Sequence, residues 1–217
     1  MSEPTRNSMA VLDYEHLDNG LFLTAFAREL SRRPSGSTLI LHGDSAYTDR
    51  LTRSGTAVQD AKLRSIRDLN HRLVALLADY GVAAVGIHGY QQSMVRLENG
   101  TLKINMERFL RIPSRSTLVL SNLADGAGDQ PVPIPLAQLA EALSSGLNLQ
   151  EVLIFRPGNP RKSTSEERPS ELNRNELSRE EKERWLPKEF RSSGTEFTII
   201  EPEDLSGCPV LGGTSLI

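Results

Sequence analysis

Apolar residues along the chain are arranged in two ways, at helical spacing and in short continuous runs. Residues 60 to 80 carry the longest helical pattern, which Gly81 closes as a C-cap. Residues 19 to 33 show the same spacing, closed by Pro34, and so does the stretch 135 to 146. The leucines and isoleucine that share one face of the longest helix are Leu63, Ile66, Leu69, Leu73, Leu76 and Leu77. The sequence therefore predicts three amphipathic helices.

Continuous apolar runs bounded by turn residues lie between these helices. Such runs are typical of parallel strands buried on both faces. Shorter runs predict a first strand within residues 9–17, a late strand within 195–205 and a terminal strand at 212–217, and Asn99–Gly100 predicts a hairpin turn. The four main runs are STLILHG (37–43), GVAAVGIHG (81–89), STLVLSNLA (116–124) and EVLIFRPG (151–158). Strands that alternate with helices predict an α/β fold, a three-layer αβα sandwich around a mostly parallel sheet.

Residues 160–191 differ in composition from the rest of the chain. Positions 161 to 191 hold nine basic and eight acidic side chains and few apolar ones. This composition favours a solvated or disordered insertion. Within it, Ser178 and Glu181 have the spacing of a capping box, which predicts a short charged helix. The length of 217 residues otherwise fits a single domain.

Charge and composition exclude several classes of function. The net charge of −3 leaves no basic surplus for a nucleic-acid backbone, so no nucleic-acid partner is expected. No apolar run approaches the roughly 20 residues that a membrane helix needs, so no membrane association is expected. The single cysteine, Cys208, fits a reducing compartment, and we predict a cytoplasmic protein. The four histidines show no metal-ligand spacing, so no metal site is predicted.

The stretch NHRLVALLADYGVAAVGIHG (70–89) predicts a helix, a glycine turn and a strand that ends in His-Gly. It is the most specific match in a resemblance to the amino acid kinase family, and within it to the N-acetylglutamate kinases, whose corresponding strand ends in a Ser-Gly pair. LILHGD (39–44) resembles a strand and glycine-rich loop, and GGTSLI (212–217) resembles the terminal strand. The resemblance covers nearly the whole chain, with the nucleotide-binding half shortened. It implies the αβα fold already predicted from the alternating pattern.

Members of this family transfer the terminal phosphoryl group of ATP to a carboxylate or phosphate, and few of the residues that they need are present here. Lysines and glycine-loop N–H groups neutralise the charge of the transferring group. The stretch that matches the family's Lys-x-Gly-Gly motif instead carries Asp13, Glu15 and Asp18. Ala137 stands where the family has a lysine-organising aspartate, and Ala57 where it has a substrate-binding arginine. The residue that remains is Lys188, which the resemblance makes a candidate catalytic residue.

The resemblance also implies substrate-binding positions, each of which has a structural alternative. The candidates are Gly43, Asp44 and Ser45 after one strand and His88 and Gly89 after another. Asp44 and Ser45 have the alternative role of capping the next helix. His88 has the alternative of being a hydrogen-bonded structural histidine.

The sequence also favours a structural role for two residues, Lys188 and Asn70. Lys188 lies in a segment rich in charges, where a solvated lysine is the alternative to a catalytic one. Asn70 is expected to lie on the exposed side of its helix.

Two functional hypotheses follow from this combination. The first is a noncatalytic, acetylglutamate-kinase-like protein, a pseudoenzyme that binds an acyl amino acid or has a regulatory role, with no cofactor expected. The alternative is a divergent active kinase that uses ATP and Mg²⁺ to phosphorylate the carboxylate of N-acetylglutamate or a related acyl amino acid in arginine biosynthesis. Because the matching family helix takes part in dimer packing, the resemblance also implies a homodimer through residues 60–80.

Overall fold

A computed structural model describes residues 7–34, 38–113, 115–157, 171–173, 175–194, 196–206 and 213–216. Strands and helices alternate from the first strand to the third, as the sequence predicts. The elements in chain order are β1 (Ser8–Leu12), α1 (Gly20–Leu30), β2 (Thr38–His42), α2 (Tyr47–Arg53), α3 (Val58–Asp79), β3 (Ala84–His88), β4 (Val95–Glu98), β5 (Thr101–Ile104) and α4 (Met106–Leu110).

The second half continues with two short strands before the next long helix. Its elements are β6 (Thr117–Ser121), β7 (Leu123–Asp125), β8 (Pro131–Pro133), α5 (Leu136–Leu147), β9 (Glu151–Phe155), β10 (Glu171–Leu172), α6 (Arg179–Trp185), β11 (Phe197–Ile200) and β12 (Thr214–Leu216). A 3₁₀ turn, Lys188–Phe190, follows α6.

Within the described ranges, eight strands form the main sheet in the order β10-β12-β11-β9-β1-β2-β6-β3. The pairs from β11 through β3 are all parallel, and β12 is antiparallel to β11. A second sheet of four short strands has the order β5-β4-β7-β8. The mostly parallel sheet confirms the predicted fold class.

Two apolar clusters cover the two faces of the main sheet. One cluster joins α1 and α3 to the sheet through Phe22, Phe26, Leu69 and Leu73. The other packs α5 and the second sheet against the opposite face, with Leu139 fully buried. Helices on both faces make the three predicted layers.

The structure confirms three local predictions. Gly81 follows α3 with φ +75°, a conformation that favours glycine at a helix end. Asn99 and Gly100 both have positive φ and join β4 to β5 in the predicted hairpin turn. Ser178 and Glu181 form the predicted capping box at the start of α6, with both reciprocal hydrogen bonds present.

Strand β3 corrects one prediction. The sequence suggested a strand buried on both faces, but β3 is the edge strand of the sheet, and Val85 is 37% exposed. A continuous apolar run has the same sequence pattern whether its strand lies at the centre or at the edge of a sheet. Only the pairing of strands, which is a tertiary property, distinguishes the two.

Some predictions fall on residues that the structure does not describe. They concern Cys208 and the first part of the charged segment, residues 160–170. The single-domain organisation also stays a prediction. Within the described ranges, no helix combines the length and the apolar character needed to span a membrane.

Candidate functional site

The carboxyl ends of the central parallel strands lie side by side at one edge of the main sheet. In this row, His42 of β2 pairs in register with Ser121 of β6, which pairs with His88 of β3. Strand β1 ends at Leu12 beside His42, so Asp13 follows at the same edge. In open α/β sheets, ligands bind outside these strand ends.

A cavity of about 540 Å³ lies at the end of β1. In the part of the chain that the structure describes, its polar lining combines three carboxylates, one lysine and two hydroxyl groups. The residues are Asp13, Tyr14, Glu15, Lys188, Glu189 and Ser192. The structure thus places Lys188, the predicted catalytic residue, beside the loop that follows β1.

Asp13 is neutralised within the protein. Its carboxylate lies 2.5 Å from Nδ1 of His16, and Nε2 of His16 lies 3.1 Å from the carbonyl oxygen of Arg156. Both ring nitrogens therefore face acceptors. Burial disfavours the charged ring, but the bond to Asp13 and the Arg156 carbonyl outweigh it, and the pKa of His16 is raised.

The other acids of this loop differ in their surroundings. Asp18 forms an ion pair with Arg50, whereas no ion pair of Glu15 occurs among the described residues. The Tyr14 hydroxyl donates a 2.8 Å hydrogen bond to Asp49. Partial burial and then Asp49 raise the pKa of Tyr14 to about 12. The loop is therefore tied to α2, and it is less anionic than its sequence suggests.

Glu189 faces the start of α5. Its Oε2 accepts a 3.0 Å hydrogen bond from the backbone N–H of Leu136, the first residue of that helix. Pro135 at the N-cap provides no side-chain hydrogen bond, so Glu189 supplies the carboxylate that helix N-termini favour. Phe190 is fully buried and anchors this turn.

Gly43, Asp44 and Ser45 connect β2 to α2. A Cβ on Gly43 would lie 3.1 Å from Leu136 Cδ1, so the glycine allows close packing. Asp44 accepts hydrogen bonds from Ser45 N and from the Thr48 hydroxyl, and Ser45 Oγ accepts one from Tyr47 N. The N-cap of α2 is Ala46, without a side-chain cap bond, so only Ser45 contacts an N–H of the first turn and Asp44 does not cap the helix as predicted. Ligand binding by the three residues stays a prediction.

His88 is a buried residue. It is 7% exposed, and its Nδ1 lies 2.9 Å from Ser121 Oγ, as the structural alternative predicts. Gly89 is enclosed, because a Cβ there would lie 2.5 Å from the carbonyl oxygen of Leu123. The His88 side of the row is about 14 Å from β1, three strand spacings across the sheet. Ligand binding by His88 and Gly89 stays a prediction.

Asn70 corrects a second prediction. It is 1% exposed rather than on the outer side of α3. Its Nδ2 donates to Nε2 of His42 and to the carbonyl oxygen of Val119, both at 3.0 Å. The sequence did contain a signal, because Asn70 follows Ile66 by four residues and precedes Leu73 by three, and therefore lies on the apolar face.

His42 is held neutral by this network. It is fully buried, with Nδ1 3.1 Å from the carbonyl oxygen of Gly43 and Nε2 facing the amide of Asn70. Burial is the main cause that lowers the pKa of His42 to about 4. His42, which sequence reasoning did not identify as a functional residue, thus connects the strand ends to α3 and to the loop after β2.

The described residues contain no cluster of three or more histidine, cysteine, aspartate or glutamate side chains suited to a metal ion. Ala137 and Ala57 lie at helix starts, in the first turn of α5 and at the N-cap of α3. Neither can organise or bind a charged group through its methyl side chain. Among the described residues that line the cavity, Lys188 is the only cation.

Comparison of the fold with solved structures gives extensive similarity at low sequence identity. An isopentenyl phosphate kinase matches with a TM-score of 0.64 and 15% identity, over 97% of this chain and 99% of that chain. Aspartate kinase from Synechocystis matches with a TM-score of 0.65 and 13% identity, over 97% of this chain and 40% of that one.

N-acetylglutamate synthase from Neisseria gonorrhoeae, in complex with coenzyme A and N-acetylglutamate, matches with a TM-score of 0.63 and 14% identity. This chain spans 60% of its length. By sequence, no protein-family model and no curated protein matches the chain. The structural neighbours are members of the amino acid kinase family, and the chain has the amino acid kinase fold.

Proposed function

We propose that this protein is a noncatalytic member of the amino acid kinase structural class that binds a small molecule in the cavity at the end of β1. The observation that carries the proposal is the charge of the cavity lining. Asp13 is offset by His16, which leaves Glu15 and Glu189 against Lys188, the one cation among the described lining residues. Phosphoryl transfer depends on cations and free N–H donors around the transferring group. One lysine can balance a single carboxylate, but it would leave most of the negative charge of a triphosphate unbalanced in this lining.

The starts of two helices support the same proposal. The side chains of Asp44 and Ser45 are engaged at the start of α2, and Glu189 covers the first N–H of α5. A phosphate group that approached either helix start would have to displace a side chain of the protein itself. The cost of that displacement adds to the charge repulsion.

For the ligand, we propose an acyl amino acid such as N-acetylglutamate, with one carboxylate bound by Lys188. A lysine offers a point charge with three donors to such a group. No hydrogen bond or ion pair of Lys188 is present among the described residues, so its ammonium is available. The similarity to a synthase that binds N-acetylglutamate supports this choice, and a regulatory role would then depend on ligand occupancy.

A divergent kinase is the second candidate, and the position of Lys188 favours it. This lysine does line the cavity at the strand ends, where a cation could contact a transferring phosphoryl group. ATP and Mg²⁺ would be the cofactors, and N-acetylglutamate or a related acyl amino acid of arginine biosynthesis the acceptor.

Thermal unfolding with ligands distinguishes these candidates. We expect N-acetylglutamate at about 100 times its Kd to stabilise the protein by about 2.7 kcal/mol, which raises Tm by several degrees, whereas ATP with Mg²⁺ leaves Tm unchanged. Lys188→Met should abolish the response, and Lys182→Met, a matched change on α6, should preserve it. A rise in Tm with ATP, or phosphoryl transfer by the purified protein, would favour the kinase instead.

We also propose a homodimer that pairs the exposed edge of β3 and the neighbouring face of α3 with a second copy. Natural proteins usually protect an edge strand with charges, prolines or bulges, but Ala84–His88 has none of these and exposes Val85. An antiparallel contact of this edge with itself is self-complementary, as a two-fold interface requires.

Light scattering tests the interface. Wild-type protein should have the mass of two chains, and Val85→Lys should give the mass of one, because two lysines would meet across the two-fold axis. Val58→Lys is the control, since Val58 is 66% exposed at the start of α3 and lies away from the edge. A wild-type protein with the mass of a single chain would contradict the proposal.

A further inference from the structure

A second group of polar side chains lies at the carboxyl end of β3, three strand spacings or about 14 Å across the sheet from β1, where the cavity described above lies. We call it the His88 cluster, and it consists of Arg67, His71, His88 and Tyr90. The rings of His88 and Tyr90 stack with centroids 5.6 Å apart and an interplanar angle of 2°. The guanidinium of Arg67 lies over the Tyr90 ring, 5.5 Å from its centroid, and the ring of His71 lies 6.3 Å from that of His88.

The cluster combines several basic groups for which the described residues provide no carboxylate partner. No ion pair of Arg67 occurs among the described residues, and its Nε is buried without a hydrogen-bond partner. A buried guanidinium nitrogen without an acceptor is costly, because it has lost its hydration and gained nothing in return. The protein as a whole carries a net charge of −3, so this local concentration of basic groups is not a property of the whole surface.

His88 adds a donor to the same place. Its Nδ1 is engaged with Ser121, while no hydrogen bond to its Nε2 is present among the described residues. Burial, followed by the charges of Arg67 and His71, lowers the pKa of His88 to about 4, so the ring is neutral at pH 7. In the tautomer in which Ser121 donates to Nδ1, the ring proton lies on Nε2, which is the atom left to donate to a ligand.

We propose that the His88 cluster is a binding site for an oxyanion, a phosphate or carboxylate group held between the guanidinium of Arg67 and the imidazoles of His71 and His88. Arginine presents a planar fork of donors that matches the oxygens of both groups. The stacked ring of Tyr90 holds the guanidinium and the His88 ring in place, so little ordering is needed when the anion binds. The bound anion supplies the acceptor that Arg67 Nε lacks.

Titration with inorganic phosphate tests this site, with the histidine ring resonances as the readout. The chain has four histidines, so the spectrum is simple. At constant ionic strength, phosphate should shift the His71 and His88 resonances in a saturable manner and leave His16 unchanged. Arg67→Met should weaken binding at least about tenfold, because a charge-assisted contact is lost. Arg64→Met, one turn away on α3, where Arg64 pairs with Asp68, should bind as the wild type does.

Additional titrations distinguish carboxylate from phosphate ligands, and a second Arg67 variant keeps the test decisive if the first does not fold. Saturable shifts with acetate but not phosphate would assign the site to carboxylates, and the reverse would assign it to phosphate groups. If Arg67→Met does not fold, Arg67→Lys keeps the charge, loses the fork, and should still bind more weakly. Lys188→Met should leave the titration unchanged, which separates this site from the cavity. The absence of saturable shifts with both anions, or equal affinity in the Arg67 variants, would overturn the proposal.

Discussion

Gly86→Ala is expected to destabilise the protein by about 3 kcal/mol, because the new methyl group has no space. A Cβ at this position would lie 2.2 Å from Oδ1 of Asn70 and 3.0 Å from Cγ2 of Val74. Asn70 cannot move aside freely, since its amide is held by His42 and by the carbonyl oxygen of Val119. The added volume must therefore break buried hydrogen bonds or shift α3 away from β3.

Urea unfolding at pH 7 measures this effect. Gly20→Ala is the matched control, because a Cβ at Gly20 meets no atom within 4 Å and the residue begins α1. We expect that control to change the free energy of unfolding by no more than about 0.5 kcal/mol. If Gly86→Ala changed the free energy of unfolding as little as the control does, Asn70 would not pack against β3 as described.

Acidification is expected to destabilise the protein strongly between pH 6.5 and pH 4. The pKa of buried His42 is lowered to about 4, while an unfolded histidine titrates near 6.5. The unfolded state therefore binds more protons in this window, and the free energy of unfolding falls as the pH falls. The difference of about 2.5 units corresponds to about 3 kcal/mol at 1.36 kcal/mol per unit. This stability is present in full above about pH 6.5.

The other buried histidines modify this dependence in opposite directions. His88, whose pKa is also lowered to about 4, adds to the loss in acid. His16, whose pKa is raised, contributes stability that is present below about pH 6.5 and disappears as the pH rises through its folded value. His16 therefore offsets part of the acid destabilisation.

Urea unfolding at pH 7 and pH 4.5 in wild type and His42→Gln isolates the contribution of His42. The variant should lose about 2–3 kcal/mol less than the wild type between the two pH values, whatever its stability at pH 7. His16→Gln should change the pH dependence in the opposite sense. An unchanged slope in His42→Gln would show that His42 is not held neutral in the folded protein.

The sequence by itself determined the three long helices, the main strands and the layered fold of this protein. Helix α3 was predictable because its apolar period extends over more than five turns, and the hairpin because Asn99 and Gly100 can both adopt positive φ. The capping box of Ser178 and Glu181 depends on residues three apart. These are local properties, so the chain needs no distant contact to express them.

Only the tertiary structure decided the order of the strands and the partners of the polar side chains. An apolar run does not reveal whether a strand is central or at an edge, so the prediction that β3 is buried on both faces was wrong. Asn70 and His42 are 28 positions apart in the sequence. Asp13 lines the same cavity as Lys188 and Glu189 only when the sheet has formed. Burial and hydrogen bonding between such distant residues set the charge of the site, because the free energy of a charged group depends on its neighbours in space rather than in sequence.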